Sequence, residues 1–208
     1  KLEFKKDLYD EFSANFKTLR SSLTSLKLSS TYLAKTAEMT NLGSSLDPSS
    51  VLSITATPDA EIARYDIEVL QLAQAHSVAS ARIDDPTKTM ADLIQGFTSG
   101  SFTIGTGDNI ATIQVTSSDT LSSLASKINS AKTSEGESIG VTAKILDNRL
   151  ILTSNSTGEA NAIKVTDTND ILGAIQIWDG STFTNTLKTA QDAKLKIDGL
   201  EVQRSGNE

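Results

Sequence analysis

The 208-residue chain contains no cysteine, three prolines and a single histidine. Without cysteine it can form no disulfide, offers no thiolate nucleophile and can build no cysteine-ligated metal site. One histidine argues against zinc, which usually takes three or four nitrogen or sulfur ligands. That histidine, His76, lies among small residues in the strand-like stretch LAQAHSVAS. We expect His76 at the surface or on a strand edge, and no histidine-dependent catalysis.

Excess positive charge and long apolar runs are also missing. The net charge is −7 at neutral pH, and an acidic chain is repelled by phosphate, so nucleic acid is not an expected partner. A run of about 18 apolar residues would indicate a membrane span, and none occurs. The acidic pairs Asp84–Asp85 and Asp167–Asp170 could in principle bind calcium, but the DTND stretch lacks the following glycine and the distal glutamate of a calcium loop. The sequence therefore predicts no catalytic, metal or cofactor site, and no enzyme.

The first forty residues are free of glycine and proline and carry apolar side chains in two rows with seven-residue spacing. Together the rows alternate steps of three and four, the a/d seam of a helix that packs on other helices. The pattern predicts a helix of roughly 30 residues. The seam consists of Tyr9, Phe12, Phe16, Leu19, Leu23, Leu26 and Leu33. Two interpretations stay open: the helix packs on its own domain, or on helices or subunits outside this sequence.

Beyond the loop at 41–50 the apolar period changes from helical to two, which predicts strands, beginning with 51–60. Hairpin turns are predicted at Gly107–Asp108, Asp147–Asn148 and Asp198–Gly199, because these residues tolerate positive φ. Between the first two hairpins a short amphipathic helix is expected, with Asp119 as its N-cap. This order of hairpin, helix and hairpin predicts an α+β fold.

Several segments carry a resemblance to a known family. DTLSSLASKINSA followed by VTAKILDNRLILTSNSTGEANAIKV resembles the repeat unit of bacterial flagellar axial proteins that is named after its Ile-Asn pair, here Ile128–Asn129. YDIEVLQLAQAHSVASARI and AQDAKLKIDGLEVQRSGN resemble segments of the flagellar filament cap family, also called hook-associated protein type 2. The resemblance covers nearly the whole chain, with His76 and Gly206 as departures. It implies a fragment that lacks both terminal regions of the family.

The resemblance also implies a domain organisation. A long N-terminal helix, in residues 1–42, belongs to a helical leg domain and is followed by two β-rich head domains, one inserted in the other. Residues 43–80 plus 176–208 form the split head domain, and residues 81–175 form the inserted α+β domain with the Ile-Asn motif. We expect the inserted domain to bury its helix against the second hairpin. The predicted core is Leu121, Leu124, Ile128, Val141, Ile145 and Ile151.

Finally, the resemblance implies a structural function. A ring-like homo-oligomer at the distal tip of the flagellum would hold exported flagellin while it folds and inserts. Its partners would be other copies of itself and flagellin, and its location extracellular, after export through the flagellar channel without a cleaved signal. Two alternatives stay open: an adhesin-type module that binds mucin or host glycans, and another flagellar junction protein.

Overall fold

The computed structural model describes residues 2–27, 35–43 and 45–208, without the side chains of residues 2 and 25–27. The chain divides into two compact units, residues 1–64 and residues 65–208. The first unit contains one long helix and the second is rich in strands, which confirms the α+β class. None of the helices described is both long and apolar enough to cross a bilayer.

Helix α1 of the first unit extends over Leu2–Lys27, as predicted. Leu33 lies outside the described residues, as does the side chain of Leu26. A 3₁₀ helix, Pro48–Ser50, begins where the Asp47 carboxylate accepts a hydrogen bond from the Ser49 N–H at 2.9 Å. The strand expected at 51–60 is absent from the described structure. Alternation alone does not make a strand, because a strand needs a hydrogen-bonded neighbour.

The second unit consists of ten strands in three antiparallel sheets, with three short α-helices and a 3₁₀ helix, Glu159–Asn161. The strands are β1 (Ile67–Gln71), β2 (Ala75–Ala79), β3 (Ser99–Thr106), β4 (Asn109–Thr116), β5 (Val141–Leu146), β6 (Arg149–Thr157), β7 (Ile163–Asp167), β8 (Thr186–Lys188), β9 (Ala193–Ile197) and β10 (Leu200–Arg204). The helices are α2 (Met90–Leu93), α3 (Leu121–Ser130) and α4 (Ile171–Ala174). The sheet orders are β1-β9-β10, called the outer sheet below, β5-β6-β2-β8, and β4-β3-β7.

Three predicted hairpin turns are confirmed. Gly107 has a φ of 57° between β3 and β4, and Asp147 and Asn148 have φ of 48° and 55° between β5 and β6. Asp198–Gly199, with φ of 50° and 82°, joins β9 to β10. The second and third turns have two consecutive residues with positive φ, and the first has one, at Gly107. Both patterns match the right-handed twist of the flanking strands, which is why Asp, Asn and Gly are the residues found there.

A single core cluster joins the four-stranded sheet, the β4-β3-β7 sheet and the three short helices. Its largest fully buried side chains include Met90, Phe102, Ile104, Leu150 and Leu152. Strand β2 contributes Val78 to this core, and residues 171–177 contribute four more side chains. The outer sheet contributes none of the cluster's members in the described part of the chain.

Five of the six residues predicted for the core of the inserted domain are buried, and one is not. Leu121, Leu124, Ile128 and Val141 belong to the core cluster. Ile151 is buried, but it pairs with Ala79 and Lys144, so it faces away from Leu150 and Leu152. The side chains of a strand alternate between the two faces of a sheet. Ile151 is therefore outside the core that α3 covers.

The assignment of Ile145 to the core is wrong, because its side chain is 38% exposed. Ile145 lies two residues before the Asp147–Asn148 turn, at the end of the hairpin. The end of helix α3 contacts β5 at Ala143, and the strand continues past it toward solvent.

Strand β2 ends just before the boundary that we expected near residue 80, and β8 begins after the boundary that we expected near residue 176. Both strands therefore lie in the predicted split domain. Both pair with each other, and β2 also pairs with β6. The division into a split and an inserted domain stays a prediction.

Candidate assembly surfaces

Helix α1 exposes an apolar stripe. The five seam side chains that the structure describes, Tyr9, Phe12, Phe16, Leu19 and Leu23, are between 50% and 74% exposed. Phe12 and Phe16 lie one turn apart, with ring centroids separated by 5.6 Å. A contiguous stripe of large apolar side chains on a helix marks a surface that packs on another helix or subunit.

Two further residues extend this stripe toward the N-terminus. Phe4 and Leu8 are 72% and 57% exposed, and with Phe12 and Phe16 they form a row at intervals of four. Residues four apart lie on the same helix face. The seven-residue count missed Leu8, whereas a search for intervals of four would have found it.

The Ile-Asn pair on helix α3 combines burial with a backbone clamp. Ile128 is fully buried in the core cluster. The amide of Asn129 meets the backbone of Ala143 twice: its Nδ2 donates to the carbonyl oxygen at 2.8 Å, and its Oδ1 accepts from the N–H at 2.8 Å. Strand β5 lies at an edge of its sheet. Asn129 therefore satisfies two edge groups of β5 that a neighbouring strand would otherwise pair with.

Lys127 acts in the same way on a second edge strand. Its ammonium donates to the Gln114 carbonyl oxygen at 3.0 Å, and β4, which carries Gln114, is the edge strand of its sheet. Unpaired edges invite association with other chains, and natural proteins protect them. Helix α3 thus satisfies backbone groups on one edge strand of each of two sheets.

The start of helix α3 is fixed by Thr120, and not by Asp119 as predicted. The Thr120 hydroxyl accepts from the Ser123 N–H at 3.4 Å, and the Ser123 hydroxyl accepts from the Thr120 N–H at 2.9 Å. Asp119, one residue earlier, is buried and lies 2.5 Å from the Lys127 ammonium. Burial would raise the pKa of Asp119, but hydrogen bonds from Lys127, Thr116 and Ser123 outweigh it and lower the pKa to about 2.

A polar junction connects the outer sheet to the rest of the second unit. Gln74 and Gln191 exchange two backbone hydrogen bonds, of 2.9 and 3.2 Å. The amide of Asn207 holds Ala73 in the way that Asn129 holds Ala143: its Oδ1 accepts from the N–H at 2.7 Å, and its Nδ2 donates to the carbonyl at 3.1 Å. The segment at Asn207 is therefore tied to the connection between β1 and β2.

Asp192, immediately before β9, completes this junction. One carboxylate oxygen accepts from the Glu159 N–H at 2.8 Å, and the other accepts from the Gln203 side-chain amide at 2.7 Å. Gly158 packs so closely that an added Cβ would lie 2.8 Å from Ser205 and 2.9 Å from Asp192. These residues come from, or contact, the two segments that resemble the cap family. The sequence indicated the segments but not that they meet.

His76 is buried, so the prediction of a surface or edge position is wrong. It lies on β2, between β6 and β8, and its Nδ1 accepts a hydrogen bond from the Ile163 N–H at 3.0 Å. The Phe183 ring lies edge-on at 5.3 Å. Burial lowers the pKa of His76, which favours the neutral form that this acceptor role requires. His76 thus links β2 to the start of β7.

An open cavity of about 490 Å³ lies beside the only tryptophan. Its lining comprises Ala81, Asp170, Gly173, Gln176, Trp178, Asp179, Thr184 and Asn185. Trp178 is held by an edge-on contact with Phe183 at 5.0 Å. The Asp179 carboxylate is occupied by the turn that it closes, where it accepts from the N–H groups of Ser181 and Thr182. Across residues 2–27, 35–43 and 45–208, no acidic or histidine cluster could hold a metal ion.

Two known families match parts of the chain. Residues 1–76 match the family described as the N-terminus of flagellar hook-associated protein 2. Residues 101–156, which include the Asn129 clamp, match the flagellin hook IN motif.

Relatives of known name and structure are similar over most of this chain. The flagellar hook-associated protein 2 of Escherichia coli K12 is 29% identical over 202 residues, which cover 91% of this chain and 41% of that protein. The D2–D3 domains of the flagellar cap protein FliD from Escherichia coli are 28% identical, with a TM-score of 0.59, over 74% of this chain and 80% of theirs. Those from Serratia marcescens are 33% identical, with a TM-score of 0.54, over 69% and 78%.

The chain spans only part of its full-length relatives. It covers 26%, 41% and 42% of the length of three curated relatives.

Proposed function

We propose that this chain, which belongs to the flagellar hook-associated protein 2 family of flagellar cap proteins, forms part of a cap at the distal tip of a flagellum. Its role there is structural rather than catalytic. In this proposal the whole protein is extracellular, having left the cell through the flagellar channel without a cleaved signal. It assembles with copies of itself, and it promotes the folding and insertion of flagellin.

The observation that carries this proposal is the exposed stripe of helix α1. A soluble helix with five large side chains at least half exposed needs a partner surface. We assign residues 1–42 to a leg domain in which this helix packs on other helices. The alternative of a hook–filament junction protein is less well supported, because residues 1–76 match the N-terminus of hook-associated protein 2.

The strand pairing supports a modified division of the head. The outer sheet takes its strands from residues 67–71 and 193–204, and β2 and β8 pair with each other beyond it. We therefore propose that the inserted domain extends from about residue 75 to about residue 188, with the polar junction as its connection to the split domain.

The test is a pair of charge insertions in the whole protein. Phe16→Glu places a carboxylate in the stripe, whereas Ala14→Glu places one at an exposed position on the opposite face of the helix. We expect Phe16→Glu to abolish ring formation in light scattering and swimming in cells that lack their own cap. Ala14→Glu should leave both unchanged. Normal assembly and normal swimming of the Phe16→Glu protein would contradict the proposal.

A second candidate function is binding of mucin or host glycans, favoured by the cavity at Trp178. An aromatic face beside amide and carboxylate groups fits the apolar and hydroxyl faces of a sugar. Asp170, Gln176 and Asn185 line it with side chains that make no hydrogen bond to other parts of the chain that the structure describes.

The fluorescence of Trp178 provides the test for this second candidate, since it is the only tryptophan in the 208 residues. Titration of the 208-residue chain with N-acetylhexosamines should change its emission, and Gln176→Ala should weaken the response. Unchanged emission up to about 10 mM sugar, a concentration at which weak sites of about 1 mM would be filled, would eliminate this candidate.

A further inference from the structure

The outer sheet has one aliphatic face and one polar face. Cross-strand pairing places two aliphatic rows on the first face, with Ile67, Ile197 and Leu200 in one row and Val69, Leu195 and Val202 in the other. None of these six side chains is buried, and Leu200 is 71% exposed. This set of six is called the aliphatic face below.

The opposite face of the same sheet is suited to water. Glu68, Lys196 and Glu201 form a row across it, and the Lys196 ammonium lies 3.7 Å from the Glu68 carboxylate. An antiparallel sheet commonly packs one face on a core and leaves the other solvated, with apolar and polar residues alternating along each strand. The aliphatic face therefore has the composition of one half of a core.

The second half of that core is absent from residues 65–208. The core cluster of this unit draws on the other two sheets and the short helices, and none of the six aliphatic residues belongs to it. Contiguous apolar surface of this kind marks a contact in the assembled molecule.

We propose that in the whole protein a strand-forming segment that follows residue 208 of the same polypeptide packs on the aliphatic face and closes it into a two-layer core. The relatives are long enough to contain such a segment. The matched part leaves about a fifth of the Escherichia coli and Serratia marcescens D2–D3 chains without a counterpart here, at 80% and 78% coverage.

The position of the tail supports the same occupant. Asn207 is hydrogen bonded to Ala73, two residues beyond β1. Polypeptide that follows Asn207 therefore starts beside the outer sheet, where a short connection reaches the aliphatic face. Sheets that pack face to face lie about 10 Å apart, a distance that three or four extended residues span. This proposal does not depend on the cap function.

Single cysteines test the proposal, because the 208 residues contain none of their own. Val202→Cys places a thiol of similar size on the aliphatic face, and Glu201→Cys places one on the polar face of the same strand. In the 208-residue chain we expect both thiols to react readily with a maleimide. In the whole protein, with any other cysteine replaced, the Val202→Cys thiol should react at least about tenfold more slowly, as expected for a protected site. The Glu201→Cys thiol should stay reactive.

Two results would overturn the proposal. One is a Val202→Cys thiol that reacts as fast in the whole protein as in the 208-residue chain. The other is protection that already appears in the 208-residue chain and grows with its concentration, which would identify a second copy as the occupant. The far-UV circular dichroism and the Trp178 emission of each variant must match those of the parent protein. Val69→Cys, on the opposite edge strand, provides a second thiol on the aliphatic face.

A photo-crosslinker attached to Val202→Cys in the whole protein then identifies the occupant. Cross-linked peptides from beyond residue 208 of the same molecule are expected. Isotope-labelled and unlabelled copies are mixed beforehand, so that links between molecules carry both labels. Links to another copy, or to residues 1–64, would contradict the proposed occupant.

Discussion

Replacement of Asn129 tests the central claim about the Ile-Asn motif, that its asparagine is a backbone clamp. Asn129→Asp preserves the size and shape of the side chain and one of the two hydrogen bonds, the one accepted from the Ala143 N–H. The other is lost, because a carboxylate cannot donate to the Ala143 carbonyl and instead places an oxygen 2.8 Å from it. The substitution therefore removes the donor without creating a cavity.

The expected magnitude follows from these two contacts. A net hydrogen bond contributes about 1 kcal/mol, and a partly buried carbonyl left without its partner adds about 1–2 kcal/mol. We expect Asn129→Asp to lower the free energy of unfolding by about 2–3 kcal/mol at pH 7. For a unit of this size the midpoint of thermal unfolding should fall by about 5–10 °C. Below about pH 4 the new carboxyl group becomes protonated and can donate again, so the penalty should shrink.

Urea unfolding followed by Trp178 fluorescence measures this change. The control is Asn109→Asp, the same chemical replacement at an exposed asparagine whose side chain makes no hydrogen bond to the described part of the chain. Asn109→Asp should stay within about 0.5 kcal/mol of the parent protein, as surface substitutions do. An Asn129→Asp protein as stable as its control would refute the clamp, and the motif would then require another explanation.

Three further predictions concern other polar groups that hold hydrogen bonds. Asp119 has a folded pKa of about 2 against an ordinary 3.8, so it contributes about 2 kcal/mol above pH 4 that is lost as the pH falls toward 2; Asp119→Asn should flatten this part of the stability profile. His76 has a pKa lowered by burial, so stability should decline as the pH falls below its unfolded value of about 6.5; His76→Gln should remove that decline, and an unchanged profile would contradict the buried acceptor role. Asp192→Ala leaves the Glu159 N–H and the Gln203 amide without their acceptor, so urea unfolding should show a loss of about 1–3 kcal/mol, whereas an unaltered midpoint would mean that water replaces the carboxylate.

Local order could be predicted from the sequence because its causes are local. The seven-residue spacing between Phe12, Leu19 and Leu26 predicts a helix without knowledge of its partner. The residue pairs at the hairpin turns predict positive φ because few other residues tolerate it. The interval from Leu121 to Leu124 and Ile128 likewise placed the buried face of α3 correctly.

The errors concern residues whose surroundings come from distant parts of the chain. Ile145 lies on the same face of β5 as Val141. Val141 is buried and Ile145 is exposed, because helix α3 ends at Ser130. His76 is buried by Ile163 and Phe183, 87 and 107 positions away. The polar junction depends on contacts such as Ala73 with Asn207, separated by 134 positions. No periodicity within a window of ten or twenty residues contains this information.

Two asparagine side chains satisfy backbone groups of the second unit that would otherwise need a neighbouring strand. Asn129 on Ala143 and Asn207 on Ala73 are the same arrangement at two places, each an amide that pairs with both polar groups of one backbone residue. An amide can do this because it carries a donor and an acceptor side by side, as a peptide group does. Asn129 satisfies the backbone groups of Ala143 on the edge strand β5, and Asn207 satisfies those of Ala73 between β1 and β2, in both cases without another strand.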